Sequence, residues 1–379
     1  MRSSLFLMSW NRADSCQGYD MELSKAIEYL KNYNGRQLRL MEVCGTHTAA
    51  IRNSGLPSII SERIHLVSGP GCPVCVTVTG YIDKLIALSK ESRNVIVTFG
   101  DLMRVPGSEM DLSRAKSEGA DIRFVYSPLD MIRMAEEDRD HVYIFAAVGF
   151  ETTTPVYAAL ISEAVKSGTG NIRLLTALKT MPEAIIKSAE GIDGFLAPGH
   201  VAVITGTKPY EELAGKLKLP FVVSGFKEEG LAAAIYALVK MAQNGERRCL
   251  NLYPQAVREE GSVLAGAAIA KYFESGDAVW RGIGLIPGSG MYLKEEFQRL
   301  DAGSKGIDGN TEAPGCMCAK VITGRIRPDE CHLFGKTCTV DHPVGACMVS
   351  QEGACFVASS VSPGSLREKS VSCSGSKIH

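Results

Sequence analysis

Short apolar runs alternate with amphipathic helical stretches from residue 21 to residue 250, and this alternation narrows the chain to few architectures. Residues 21–33 carry helical spacing and stop at Asn34-Gly35. Residues 38–43, 64–67, 94–99 and 122–126 read as strands, each followed by a helical stretch. The pattern then restarts, with strands expected at 142–148, 172–178, 194–196 and 221–224 and helices at 181–190 and 231–242. Strand–helix alternation of this kind predicts parallel, doubly wound sheets. The fold expected is therefore α/β: two similar doubly wound lobes, 21–138 and 139–250, followed by a connecting helix and strand segment at 251–313. A small Cys-rich C-terminal domain is expected at 314–358. Residues 1–20 read as a loose extension with no signal-peptide cleavage site, and the Ser- and Gly-rich residues 359–379 as a disordered tail.

In such sheets ligands sit beyond the carboxyl ends of strands. The chemically unusual residues fall there: Cys44, His47, Cys72, Cys75, Asp101, Glu151 and His200 each follow a predicted strand. The segment Ser68-Gly69-Pro70-Gly71-Cys72-Pro73-Val74-Cys75 is a tight turn carrying a CxxC. A thiol at a helix start faces free amides and is biased toward thiolate, the form that binds metals and attacks disulfides. Cys44, Cys72 and Cys75 on adjacent strand ends would suit a soft or borderline metal with open positions. His47 is an acid, a ligand or a helix cap. Glu151, followed by Thr152 to Thr154, and His200 after Pro198-Gly199 read either as helix-terminus residues or as members of the site.

The chain has 12 cysteines among 379 residues and a net charge of −1, with no run long enough to span a bilayer as a helix. Nothing in that charge suggests nucleic acid or an anionic membrane as a partner. Without an export signal, the cysteines point to metal or redox use in the cytoplasm rather than to structural disulfides. Cys316, Cys318, Cys331, Cys338, Cys347 and Cys355 are half of them, separated by turn residues. After the CxC, the gaps are 12, 6, 8 and 7 residues. There are no paired CxxC knuckles of the kind zinc takes, so an iron–sulfur cluster is the reading preferred over zinc. A four-iron cluster needs four thiolates; two of the six remain over, and spacing alone does not say which. Cys16, Cys249 and Cys373 are isolated and carry no assignment.

Taken in order, CGTHT at Cys44, GPGCPVC at Gly69, TFGDLMRVPGS at Thr98, GFETTTP at Gly149, PGHVAVITG at Pro198, WRGIGLIPGSG at Trp280 and the terminal Cys segments resemble the HypD family of [NiFe]-hydrogenase maturation factors. The resemblance runs from Leu40 to Cys355. Val78, Ala319 and the GFKEEG segment at Gly225 depart from the family pattern, and none of these removes a cysteine. The resemblance implies two α/β lobes with a smaller iron–sulfur domain, and a scaffold on which the Fe(CN)2CO group is assembled with a small HypC-type partner. A HypE-type protein would deliver cyanide, and the hydrogenase large subunit would be an indirect partner. It implies Cys44 as iron ligand with His47 beside it, and Cys72 and Cys75 as a thiol/disulfide pair or as further iron ligands. It also implies a [4Fe-4S] cluster on Cys318, Cys331, Cys338 and Cys355, leaving Cys316 and Cys347 as a spare redox pair.

Two other readings stand beside this one. In a thiol–disulfide oxidoreductase, Cys72 and Cys75 would exchange with a protein disulfide and the cluster would be the donor. In a non-catalytic interaction protein stabilised by zinc, the metal would be zinc without acid-labile sulfide.

Overall fold

The computed structural model describes residues 16–360, with side chains from Leu23 onward. Eleven strands form two sheets. In chain order they are β1 (Leu38–Glu42), β2 (Ile64–Ser68), β3 (Asn94–Thr98), β4 (Ile122–Phe124), β5 (Val142–Gly149) and β6 (Ile172–Lys179), then β7 (Gly194–Ala197), β8 (Phe221–Val223), β9 (Cys249–Asn251), β10 (Phe273–Trp280) and β11 (Gly284–Leu293). The first sheet has the order β2-β1-β7-β8-β9 and is parallel throughout. The second has the order β10-β11-β6-β5-β3-β4. Its β4-β3-β5-β6 part is parallel, and the β10–β11 hairpin joins antiparallel at β6.

The α/β expectation holds, but the division of the chain differs from the one expected. A boundary at residue 138 falls between β4 and β5, which lie in the same sheet. The first sheet takes β1 and β2 from the start of the chain and β7 to β9 from later in it. The strand-by-strand pattern carries no record of which strands pair, because strands of either sheet look alike in sequence. The hairpin also lies outside the expected helix–strand alternation, and the helix foreseen at 255–272 is confined to Val263–Tyr272.

Side-chain alternation sorts each strand between two cores. On β5, Tyr143, Phe145 and Ala147 face a core outside the second sheet, while Ile144 and Ala146 face the middle of the molecule. On β1, Leu38 and Leu40 face a core outside the first sheet and Met41 faces the middle. Helices Thr79–Ser89, Met181–Ser188 and Lys208–Leu217 lie in this middle region and bury Ile82, Ile185 and Leu213 there.

The C-terminal cysteines do not build a core of their own. Residues from Cys318 on form helices Cys318–Ile322, Ala346–Val349 and Ala354–Ser360, joined by turns. Cys318, Val321, Ile322, Cys347 and Met348 are buried in the same core as Met41, Val43, Cys72 and Val74. The segment expected as a small domain at 314–358 thus buries its apolar side chains in the middle of the molecule, because so short a segment cannot enclose enough of them alone. Helix Cys16–Lys31 begins within the expected N-terminal extension, residues 1–15 and 361–379 lie outside the described residues, and no described helix is long and apolar enough to cross a membrane.

Candidate functional site

β1 ends at Glu42, and Cys44 stands at the entry to helix Gly45–Asn53. The neighbouring strand β2 runs into the Gly69 to Cys75 loop, which folds over Cys44. Gly45 N–H donates to Gly71 O at 3.0 Å. A Cβ on Gly71 would come within 2.6 Å of Cys44 Cα, so only glycine permits this approach. Cys72 and Cys75 are joined in a disulfide, with Cα atoms 5.3 Å apart, and Cys75 N–H points at Cys72 Sγ at 3.2 Å. The next helix starts only at Thr79, so the CxxC does not occupy a helix N-terminus as the sequence suggested. Val76, Thr77 and Val78 intervene, and Val76 O accepts from the N–H of Arg281, the residue after β10, at 2.8 Å.

Cys44 is the thiol that does sit at a helix N-terminus. Burial nevertheless pushes it up to about 12, although the amides of His47 and Thr46 pull the other way. Helix-terminus stabilisation is about 0.3–1 kcal/mol and loses to desolvation here. Glu42 is a member of this site that sequence reasoning missed. It is buried; Cys44 N–H donates to its Oε2 at 3.0 Å and the Thr48 hydroxyl donates to Oε1. Burial pushes its carboxyl up to about 8. The signal was legible: a carboxylate between the apolar Met41 and Val43 at the end of a buried strand has no reason to be there unless partners receive it. Glu352 is the second missed residue; it accepts from the Thr46 hydroxyl at 3.2 Å and brings the C-terminal segment over the cleft.

His47 is fully buried, with Nε2 lying 3.2 Å from Ser224 O and 3.3 Å from Gly225 O. Carbonyls only accept, so Nε2 carries the proton and Nδ1 is bare. Nδ1 is buried and has no partner among the described residues. Burial lowers the ring to about 4, which keeps it neutral. His200 lies in helix Gly199–Thr205 after β7, exposed, and stacks on Phe226 at 4.0 Å. Phe226 also contacts His47 at 4.7 Å, so both histidines meet one aromatic ring. Glu151 does not cap the helix that follows it. Its Oε1 accepts from Met181 N–H at 2.7 Å, at the start of helix Met181–Ser188, and Oε2 is buried with no partner. Burial pushes this carboxyl up to about 7. Asp101 sits in the short turn of 3-10 helix after β3, exposed.

The six C-terminal cysteines, separated by up to 39 positions, line one cavity of about 20 Å³. Side-chain hydrogen bonds run Cys316–Cys318–Cys347–Cys355. The thiol of Cys316, which donates to Cys318, and the buried thiol of Cys347 are both held well above their ordinary range, whereas hydrogen bonds from both neighbours hold Cys318 well below it. Cys316 and Cys347 are free thiols, not a disulfide. Among the described residues no three His, Cys, Asp or Glu side chains are gathered for a single ion. An iron–sulfur cluster makes a different demand, because its four thiolates surround a core of several atoms. Six thiols around one cavity provide that donor set with two to spare, and a cluster would spread thiols that now hydrogen-bond one another. Cys347 lines this cavity and also the cleft of Gly71, Cys72 and Cys75.

The family model described as HypD, "Hydrogenase formation hypA family", matches residues 20–361. A hydrogenase maturation factor HypD of Escherichia coli is 39% identical over 341 residues, covering 88% of this chain and 91% of the relative. That of Rhizobium leguminosarum bv. viciae is 40% identical over 336 residues, with 84% and 87% covered. That of Rhodobacter capsulatus is 37% identical over 351 residues, with 89% and 93% covered. The chain belongs to the HypD family of hydrogenase maturation factors.

Proposed function

We propose that this chain is the scaffold on which the Fe(CN)2CO group of a [NiFe] hydrogenase is assembled, in the cytoplasm. The observation that carries the reading is the packing of Cys44, at a helix N-terminus, directly under the Gly69 to Cys75 loop that carries the disulfide and lines the adjoining cleft. Iron is the cargo. Cys44 would hold it as thiolate, and the proton that burial retains on the thiol would leave as iron binds. A HypC-type partner would supply a second cysteine, and a HypE-type partner the cyanide. An iron dicyanide is anionic, and the amides of Thr46 and His47 at the start of helix Gly45–Asn53 point at the Cys44 thiol that would hold it. Glu42 holds the Cys44 backbone amide in place, and the bare Nδ1 of His47 offers an acceptor within the same helix.

Cys72 and Cys75 would exchange two electrons by opening and closing their disulfide. A [4Fe-4S] cluster held by Cys318, Cys331, Cys338 and Cys355 would supply electrons one at a time. The placement of Cys347 on both cavities supports passage of electrons between the two regions. The test is infrared spectroscopy in the cyanide and carbonyl stretching region, on the chain co-purified anaerobically with its small partner. Bands that vanish in Cys44→Ala are expected. Their absence from a sample that still contains iron and labile sulfide would overturn the scaffold reading in favour of general thiol–disulfide exchange.

A further inference from the structure

One buried charge next to the thiols has no counterpart. Arg281 follows β10, is 3% exposed, and forms no ion pair among the described residues. Its backbone N–H donates to Val76 O at 2.8 Å and its Nε donates to Thr77 O at 2.7 Å. The side chain is thus fastened to the residues just beyond the Cys72–Cys75 disulfide. One terminal nitrogen is buried with no partner. Gly282, at φ +79°, presses on the other thiol region: a Cβ there would lie 2.7 Å from the Cα of Ala319, the residue after Cys318. The guanidinium charge reaches Cys318, where hydrogen bonds from Cys316 and Cys347 act more strongly, and it reaches Glu312, whose carboxyl burial nevertheless raises.

A guanidinium stays protonated at any working pH. Burying it without an anion is costly unless something nearby supplies negative charge. The candidates its charge reaches are the exposed carboxylate of Glu312 and, in the six-thiol cavity, Cys318. A four-iron cubane with four thiolates is a dianion, and gaining one electron makes it a trianion. A fixed cation beside it stabilises the second state more than the first. We propose that Arg281 is the built-in countercharge of the cysteine cavity, a positioning residue that raises the reduction potential of the cluster bound there. This rests on the cluster reading above. Because Arg281 is hydrogen-bonded to the loop of the disulfide, the same residue also ties that loop to the cluster region.

The experiment is a potentiometric titration of the full chain, purified anaerobically, with the cluster followed by electron paramagnetic resonance. Iron and acid-labile sulfide are counted first. Arg281→Gln is expected to move the potential negative, so that at a fixed potential the ratio of reduced to oxidised cluster falls roughly tenfold. Arg281→Lys, which keeps the charge, is expected to stay nearer the wild type. Glu312→Gln removes an exposed carboxylate within range of the same groups and is expected to move the potential positive. Opposite signs for Arg281→Gln and Glu312→Gln separate a charge effect from loosened packing, and Glu312→Gln with Arg281→Lys carries the test if Arg281→Gln does not fold. Normal sulfide with unmoved potentials, or shifts of one sign in Arg281→Gln and Glu312→Gln, would overturn the role of Arg281 alone. Wild-type protein without labile sulfide would overturn the cluster reading and this inference together.

Discussion

Cys44 and the Cys72–Cys75 disulfide stand just past strands whose register is set by backbone ladders, β1 pairing with β2 from Leu38↔Ile64 to Glu42↔Ser68. The six thiols from Cys316 to Cys355 instead hang on turns and on helices of 5, 4 and 7 residues. Helices that short are not stable by themselves. The first region is therefore preorganised by its sheet. The second is held by contacts to its neighbours and, on the cluster reading proposed above, would be held by the cluster as well. The lesson is that two thiol sites in one core differ in what keeps them in shape, and the difference can be measured.

The largest effect should come from emptying the cavity. Anaerobic iron chelation, or Cys331→Ala, is expected to lower hydrogen-exchange protection across 316–355 by roughly 100-fold while leaving β1, β3 and β5 unchanged. Equal loss in the strands, or no loss in the tail, would break the comparison.

Next in size is the protonation of Glu42. Its folded carboxyl titrates at about 8 against an ordinary 4.5, so the folded state keeps a proton that the unfolded chain has lost. That stabilisation is complete below pH 4.5 and is lost as pH rises through about 8. His47 runs the other way: with its ring lowered from 6.5 to about 4, its contribution is present above pH 6.5 and lost as pH falls toward 4. Urea midpoints of wild type and Glu42→Gln, compared between pH 5 and pH 8, should isolate the first slope, at most about 1.4 kcal/mol per pH unit. Parallel curves for the two proteins would mean that Glu42 is ionised in the fold and that the cleft is wetter than its burial indicates.

The smallest effect sharpens the comparison at one atom. Gly71→Ala must push the loop away from Cys44 Cα and is expected to cost about 1–3 kcal/mol in urea unfolding. It should also separate Cys44 from the disulfide, so alkylation of Cys44 by a small reagent should speed up. A stable variant with unchanged alkylation would show that the two loops are not held together by this contact.

Much of the site was legible before the structure. Cys44, His47, Cys72, Cys75, Glu151 and His200 follow strands that lie within a residue or two of expectation, because apolar runs bounded by Gly and Pro mark strands regardless of which sheet they join. Glu42 was hidden because it was counted as part of a strand, and Glu352 because nothing local distinguishes an acidic turn residue from a solvated one. Arg281 was hidden for a related reason: a charged residue in an apolar segment shows its isolation only when the surrounding acids can be located. The helix expected at 81–90 spans Thr79–Ser89, but the CxxC does not stand at its start, since Val76 and Thr77 intervene and receive Arg281.

The sequence by itself determined the α/β class, the strand ends at which chemistry collects, the ordered motifs of the family and the gathering of half the cysteines near one end. Those are properties of short stretches, set by side-chain period and turn chemistry. Tertiary structure alone decided that β1 pairs with β7, so that β1 and β2 join one sheet with β7 to β9, that the cysteine segment shares the core in the middle of the molecule, and that Cys347 reaches both cavities. Each of these depends on which distant surfaces exclude water together, and that choice is made by the whole chain, not by any window of it.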